Sequence, residues 1–388
     1  MDTVLALNSG SSSVKFGLYA TNDLSILARG LIDESANKAE FSAIGPMAQL
    51  LMQAPKPQSS GHADHIVWLT ETLSNVLGAV SLKAVGHRIV HGGQDFSVPT
   101  RIDADVIEKL EALASFAPAH QPHNLAGVCL IARRRPDLPQ IACFDTAFHR
   151  TIPRLGQLFP IPRVLTDSGL LRYGFHGLSY QHVAETLPEL LDAMPKRVLA
   201  AHLGNGASIC AMQDGRSVAT SMGLTALDGL MMGTRSGSVD PGLVLHLIEQ
   251  RGYSPADVNH LLNTHSGLLG VSELSSDVRV LEASSDPRAQ EALELFAYRA
   301  AREAGSLIMA LQGLDALVFT GGIGEHSVRM RALICDHLSF LGVKLDAGRN
   351  AACATLISAD NSAIPVLIVA ANEELPIARA TRELALAS

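Results

Sequence analysis

The chain has 388 residues, long enough for two domains of ordinary size that each bury a core. Apolar residues make up 47% and charged residues 18%, the balance of a globular protein, and the formal net charge is −8. With no basic stripe and one short cationic run, Arg133-Arg134-Arg135, which suits a helix C-terminus, nucleic acid is not an expected partner. The five cysteines, Cys129, Cys143, Cys210, Cys335 and Cys353, are scattered without metal-type spacing and read as reduced core residues of a cytoplasmic protein. The start MDTVLALNSGSS lacks a basic, then long apolar, secretory pattern, and runs such as 366–371 are too short to span a bilayer. The expectation is a soluble protein without membrane partners.

Along the chain, short apolar runs alternate with helical patterns, which predicts an α/β protein. Strand-like runs at 4–7 and 14–19 flank the small-residue turn Asn8-Ser9-Gly10-Ser11-Ser12-Ser13, and 81–90 and 139–144 also read as strands. The loop 54–61 is rich in Pro and Ser and reads as exposed. Helices are predicted over 103–116, with Asp103 as N-cap, and over 124–135. A second series follows: a strand over 197–202, the turn Gly204-Asn205-Gly206, a strand over 207–212, and a hairpin opened by Asp214-Gly215. Helical spacing is clearest over 287–312, where Leu293, Phe296, Ala297, Ala300, Ala304, Leu307, Ile308 and Leu311 form one stripe. A strand over 316–320 leads into the turn Gly321-Gly322-Ile323-Gly324. LALNSGSSSVKFGLY and LAAHLGNGASICAM repeat one pattern near the start of each half, which suggests a duplicated fold with a ligand held between the halves.

Five groups carry chemistry. In Asn8 to Lys15, backbone N–H groups, the hydroxyls of Ser11 and Ser13, and Lys15 suit phosphate, although the pattern is not a P-loop and runs into a strand. His202-Leu203-Gly204-Asn205-Gly206 and Gly322-Ile323-Gly324-Glu325 follow apolar strands, where glycine lets a ligand approach the backbone. GHRIVHGG, RYGFHG and MGTRSG set Arg88, His176 and Arg235 among small residues, where an arginine fork reaches carboxylate or phosphate unobstructed. Asp145 and Glu373-Glu374 follow strands and offer hard oxygen ligands for a divalent cation such as Mg²⁺ or Mn²⁺. The patterns HExxH, GxSxG and CxxC are lacking, so zinc-protease, hydrolase and dithiol chemistry find no support.

Together LNSGSSSVKF, GHRIVHGG, FDTAFH, RYGFHG, HLGNGASI, TSMGLTALDGLMMGTRSG, FTGGIGEH and ANEELPIAR, in this order from residue 4 to about 380, resemble the acetate kinase family. The resemblance implies a duplicated actin/hexokinase-type (ribonuclease H-like) fold, ATP/ADP in an interdomain cleft, and a homodimer. The domains expected on this basis are 1–146 with 374–388, and 147–373. It also implies residue roles: Asn8 and Glu373 at the Mg site, Arg88 and Arg235 on the carboxylate and the transferring phosphoryl, and Asp145 as the catalytic aspartate. His176 would stabilise the transition state, with His120 near the phosphate. His202 to Gly206, Asp277-Val278-Arg279 and Gly322 to His326 would bind nucleotide, and Val90, Ala119, Phe175 and Ala226 would surround the acid's alkyl group.

The chain departs from the family pattern at Gln121 (usually Asn), Ser238 (usually Asp) and His326 (usually Asn). Ala119 and Ala226 replace the usual Leu and Pro, which removes bulk beside the alkyl group and opens the pocket to propionate as well as acetate. Acetate kinase activity is the expectation, with propionate or butyrate kinase as the nearest alternative. A sugar kinase of the same superfold would need a general base, and an actin-like ATPase switch would not need two arginines and two histidines beyond the phosphate.

Overall fold

The computed structural model describes residues 1–10, 13–33, 40–53, 62–75, 80–118 and 120–386. The loop 54–61, Ser11 and Ala119 lie outside the described residues. The chain forms two compact units, Met1–Phe148 with Asn372–Ser388, and His149–Ala371.

In the first unit, β1 (Asp2–Ser9), β2 (Ser13–Ala20), β3 (Ile26–Asp33) and β4 (Glu40–Ile44) form an antiparallel meander. Strands β5 (Ser81–Ile89) and β7 (Gln140–Phe144) extend it in parallel from β1, and the short β6 (Thr100–Arg101) closes the edge beside β7. The full order is β4-β3-β2-β1-β5-β7-β6. β7 is buried at all five positions, as parallel strands covered on both faces are. Leu5, Leu7, Phe16, Phe41 and Ile66 lie in one core cluster, where Phe16 stacks on Phe41 at 5.8 Å and Trp68 meets Phe41 edge-on at 5.2 Å. The helix Glu374–Leu386 lies on β1 and β5. Gly86 allows this, because a Cβ there would stand 2.0 Å from Thr381 Oγ1.

In the second unit, β8 (Arg197–Leu203), β9 (Ala207–Gln213) and β10 (Arg216–Thr220) are antiparallel, and β11 (Ala316–Thr320) and β12 (Val366–Ile368) add in parallel. The order is β10-β9-β8-β11-β12. Asp214 and Gly215, with φ of 50° and 75°, make the β9–β10 hairpin turn. The stripe over 287–312 is the helix Pro287–Leu311, with Leu293, Phe296, Ala297, Ala300, Ala304, Leu307, Ile308 and Leu311 all buried.

The series β3-β2-β1-β5-β7 and β10-β9-β8-β11-β12 share one plan: a three-strand meander whose first strand continues into two parallel strands. That is the duplicated ribonuclease H-like fold expected from the sequence.

Several local expectations change. The 103–116 segment is the helix Ala104–Ala112, capped by Asp103 Oδ1 accepting from the Val106 N–H, followed by a separate 3₁₀ turn. The next helix starts at Gln121, three residues earlier than the pattern suggested, because Pro122 suits its first turn. Gly321–His326 is a short helix and not an open turn. Cys143, Cys210 and Cys335 are buried, but Cys353 is exposed, at the end of a short helix in left-handed backbone (φ 49°).

Candidate active site

In the first unit, parallel pairing brings the ends of β1, β5 and β7 together, the usual place for a ligand in an α/β sheet. Asn8 stands near the end of β1, Arg88 near the end of β5, and Asp145 immediately after β7. Asp145 is fully buried and receives Arg88 Nε on both carboxylate oxygens (3.0 and 3.1 Å) and Arg88 Nη2 on Oδ2 (2.5 Å). Arg88 Nη1 donates to Asn8 Oδ1 at 3.2 Å, and Asn8 Nδ2 donates to Glu373 Oε2 at 2.7 Å. Burial works against the Arg88 cation, but Asp145 and then Glu373 outweigh it and hold its pKa above the ordinary arginine value. The neighbouring Glu374 carboxyl is pushed up, first by burial and then by Glu373.

Beyond β5 the backbone leaves the ladder, and side chains take over its N–H groups one by one. Val90 N donates to Asn124 Oδ1, His91 N to Gln121 Oε1, Gly92 N to Thr146 Oγ1, and Gly93 N to His91 Nδ1, all at 2.9–3.1 Å. Gln121 Nε2 returns bonds to His91 O and Leu110 O, and Asn124 Nδ2 reaches Ser9 O at 2.6 Å. Gln121, noted above only as a departure, is therefore a buried brace of the segment that carries Val90. Asn124 and Thr146 were not singled out from the sequence. Their signal is amide and hydroxyl side chains where helix and strand patterns call for apolar ones.

In the second unit, β8 and β9 pair His202 with Ser208 across the Gly204–Gly206 turn, and Gly204 N donates to Gly206 O at 3.0 Å. His176 caps the helix Gly177–Leu190 in left-handed backbone (φ 59°). Its ring stacks on His202 with centroids 4.3 Å apart. His202 Nδ1 is bonded to Ser179 Oγ, and His176 Nδ1 to Ser208 Oγ, both at 2.8 Å. Gly206 marks where two assigned side chains converge: a Cβ there would stand 2.6 Å from the Arg235 guanidinium and 3.4 Å from His176 Nε2. Arg235 Nη1 donates to the Ala226 carbonyl at 2.6 Å, and Gly233 N to Asn205 O at 3.1 Å, so the 221–238 segment is tied to this turn. Ser238 donates to Asp228 Oδ1 and accepts from Gly229 N inside the same segment. Phe175 is buried, and its carbonyl is held at 2.9 Å by the buried His149.

The remaining residues are less tightly gathered. β11 runs beside β8 with Thr320 opposite His202, which sets the Gly322–His326 segment next to the His202–Gly206 turn. Glu325 Oε1 accepts from Ala371 N at 3.0 Å, whereas Gly322 and His326 are exposed. Asp277 and Arg279 hydrogen-bond each other at the start of the helix Val278–Glu282, and Arg279 is 88% exposed. Lys15 is exposed on β2, half-buried Ser13 accepts from Gly10 N, and His120 stands at the N-cap of the helix Gln121–Arg134.

The sequence pattern of the Acetokinase family matches residues 3–379. An acetate kinase of Rhodopseudomonas palustris is 46% identical over 386 residues, covering 97% of each chain. The chain belongs to the Acetokinase family. A propionate kinase of Citrobacter rodentium is 42% identical over 393 residues, covering 99% of this chain and 97% of that one. Among solved structures, a propionate kinase from Francisella tularensis superposes with a TM-score of 0.90 at 38% identity, covering 99% of this chain and all of that one. As an Acetokinase-family enzyme the chain is a kinase of short-chain carboxylates with ATP as the phosphoryl donor.

The donor chemistry of the first unit fits a divalent cation. Asn8 Oδ1 and the Glu373 carboxylate are hard oxygens on two side chains already bonded to each other. Among the described residues no group of three or more His, Cys, Asp or Glu is arranged to hold a metal. One carboxylate with a neutral oxygen suits Mg²⁺, which takes most of its ligands from phosphates and water.

Proposed function

We propose that this enzyme reversibly transfers the γ-phosphoryl group of ATP to acetate, giving acetyl phosphate and ADP by direct displacement. The observation that carries this reading is the convergence of Arg235 and His176 on Gly206, which sets a guanidinium and an imidazole nitrogen side by side against the backbone of the glycine turn. Three acetate kinases at 46% identity favour acetate as the acceptor, while another acetate kinase, at 41%, stands level with the propionate kinases at 41–42%. Ala119 and Ala226, smaller than the family's usual residues, support propionate as a second substrate.

A carboxylate is ionised at neutral pH, so it attacks phosphorus without a general base. What it needs is relief of the repulsion between two anions, and placement in line. Arg235 and Arg88 are assigned to that task, with Arg235 fixed through the Ala226 carbonyl. Asp145, locked on two nitrogens of the Arg88 fork, orients that arginine and does not act as a base. Mg²⁺, held by Asn8 and Glu373 when bound, would offset charge on the nucleotide phosphates. His202 to Gly206, Gly322 to His326 and Asp277 to Arg279 are assigned to the nucleotide.

A homodimer is also proposed. The helix Pro241–Glu249, with sequence PGLVLHLIE, buries none of its nine residues, and Leu243 and Leu245 are 44% and 55% exposed. A second copy of the chain would cover such a face.

Trapping the product as a hydroxamate, with Mg-ATP and acetate, propionate or butyrate, tests the reading. Acetate giving the highest kcat/KM is the expected result. A maximum at propionate would replace acetate as the preferred acid, and ATP hydrolysis without any acid dependence would overturn the activity.

A further inference from the structure

Tyr180 and Ser208 are the buried polar pair behind His176, and none of the roles assigned above uses them. Tyr180 lies one turn into the helix that His176 caps, and its side chain is completely buried, as is Ser208 on β9. Tyr180 Oη stands 2.5 Å from Ser208 Oγ, and Ser208 Oγ stands 2.8 Å from His176 Nδ1. Three groups thus form one file that ends on the ring nitrogen facing away from Gly206, while Nε2 faces Gly206 and Arg235.

We propose that Tyr180 and Ser208 are positioning residues that fix His176 in the tautomer with its proton on Nε2. This rests on the assignment of His176 to the transferring phosphoryl group. A hydroxyl carries one proton, so the direction of a file of hydroxyls is set by its most acidic member. A phenol is a better donor than an aliphatic alcohol, so Tyr180 donates to Ser208. Ser208, having accepted on its oxygen, turns its own proton to His176 Nδ1. An imidazole that accepts on Nδ1 carries its proton on Nε2 in the neutral form.

Two features hold that direction. Burial pushes the Tyr180 hydroxyl well above its ordinary pKa, so it stays a protonated donor. The backbone N–H of His202 also bonds to Tyr180, which occupies part of the phenol oxygen's accepting capacity. The consequence is chemical: Nε2–H can donate to an oxygen of the phosphoryl group as its charge redistributes. The opposite tautomer would turn a lone pair toward an anion. A fixed donor aimed at developing charge needs no reorganisation during the reaction.

The test uses the whole enzyme labelled with ¹⁵N-histidine, with the His176 signals assigned by their loss in His176→Gln. The expected spectrum has His176 Nε2 protonated and Nδ1 unprotonated. In Ser208→Ala the two nitrogens should shift toward a tautomer mixture, and in the near-isosteric Tyr180→Phe they should shift part of the way. Turnover should fall by roughly tenfold in Tyr180→Phe and more in Ser208→Ala, with KM for ATP and acid within about twofold, as for a contact made in the transition state. Ser208→Thr, which keeps the hydroxyl, should restore both readouts. A wild-type His176 protonated on Nδ1 overturns the inference, as does an unchanged spectrum in both Ser208→Ala and Tyr180→Phe. The spectrum does not depend on turnover. An Nε2-protonated His176 in an enzyme that makes no acyl phosphate would therefore support the inference while removing the proposed function.

Discussion

Arg235 and Arg88 carry similar charge but are held differently, and this sets what each substitution should do. Arg88 is locked by a buried carboxylate, so Arg88→Ala removes the cation facing Asp145 and disturbs the unit as well as the chemistry. Arg235 Nη1 donates to the Ala226 carbonyl, a neutral partner, so Arg235→Ala leaves no buried charge facing a gap there and should keep the fold intact while kcat falls by on the order of 10³-fold or more. Steady-state kinetics beside a thermal melt checks this, and a kcat within about tenfold of wild type would remove its assigned role.

His87 and His149 predict a pH effect on stability. Burial lowers both, partly offset by a bond to Gln140 in one and to the Phe175 carbonyl in the other, and each falls from 6.5 to about 4. The unfolded chain therefore binds more protons than the folded one across that window. Stability should be full above about pH 6.5 and decline as pH falls toward about 4, by up to about 3 kcal/mol per histidine. Denaturant unfolding at a series of pH values measures the slope, and His87→Gln should reduce it by about one proton.

At the scale of elements, the first turn of the helix Gln121–Arg134 does more than pack. Its side chains at 121 and 124 bond to backbone groups of Val90, His91 and Ser9. Asn124→Ala would leave the Val90 N–H and the Ser9 carbonyl buried without that partner. Unfolding free energy should drop by about 3 kcal/mol and KM for the acid should rise. Denaturant melts and acid kinetics check both, and a drop below about 0.5 kcal/mol would show the brace to be dispensable.

Elements were legible where periodicity is strong. The stripe over 287–312 and the runs at 14–19 and 316–320 each became the element their spacing predicted. β3 and β4 were not legible, because ILARGLID and EFSAI mix polar and small residues, and their place comes from pairing with β2. The Gly321–His326 helix was hidden by glycines that suggest a turn when read alone. Within the candidate site, Asn8, Arg88, Asp145 and Glu373 stood out as charged or polar groups at strand ends and are joined by hydrogen bonds. Ser208, Tyr180, Asn124 and Thr146 did not, because each is one polar atom inside an apolar element and its partner is distant in sequence.

For the whole molecule, one sheet plan occurs twice with different side chains at corresponding strand ends. In the first unit the meander's first strand and its two parallel neighbours present Asn8, Arg88 and Asp145, a tightly paired set of charges. In the second unit the corresponding strands β8 and β11 carry His202 and Thr320 near their ends, next to glycine-rich turns. Duplication followed by divergence of these ends accounts for a chain in which one unit is assigned mainly the acid and the metal, and the other the nucleotide. It also explains why a repeated turn pattern, weak at either place alone, carried information about the fold.

The most direct test of the central claim is ³¹P NMR of the enzyme with Mg-ATP and acetate. The account predicts an acetyl phosphate signal growing in step with ADP, one for one, and no ADP in the absence of an acid. ADP and inorganic phosphate accumulating at the same rate with and without acetate would contradict it.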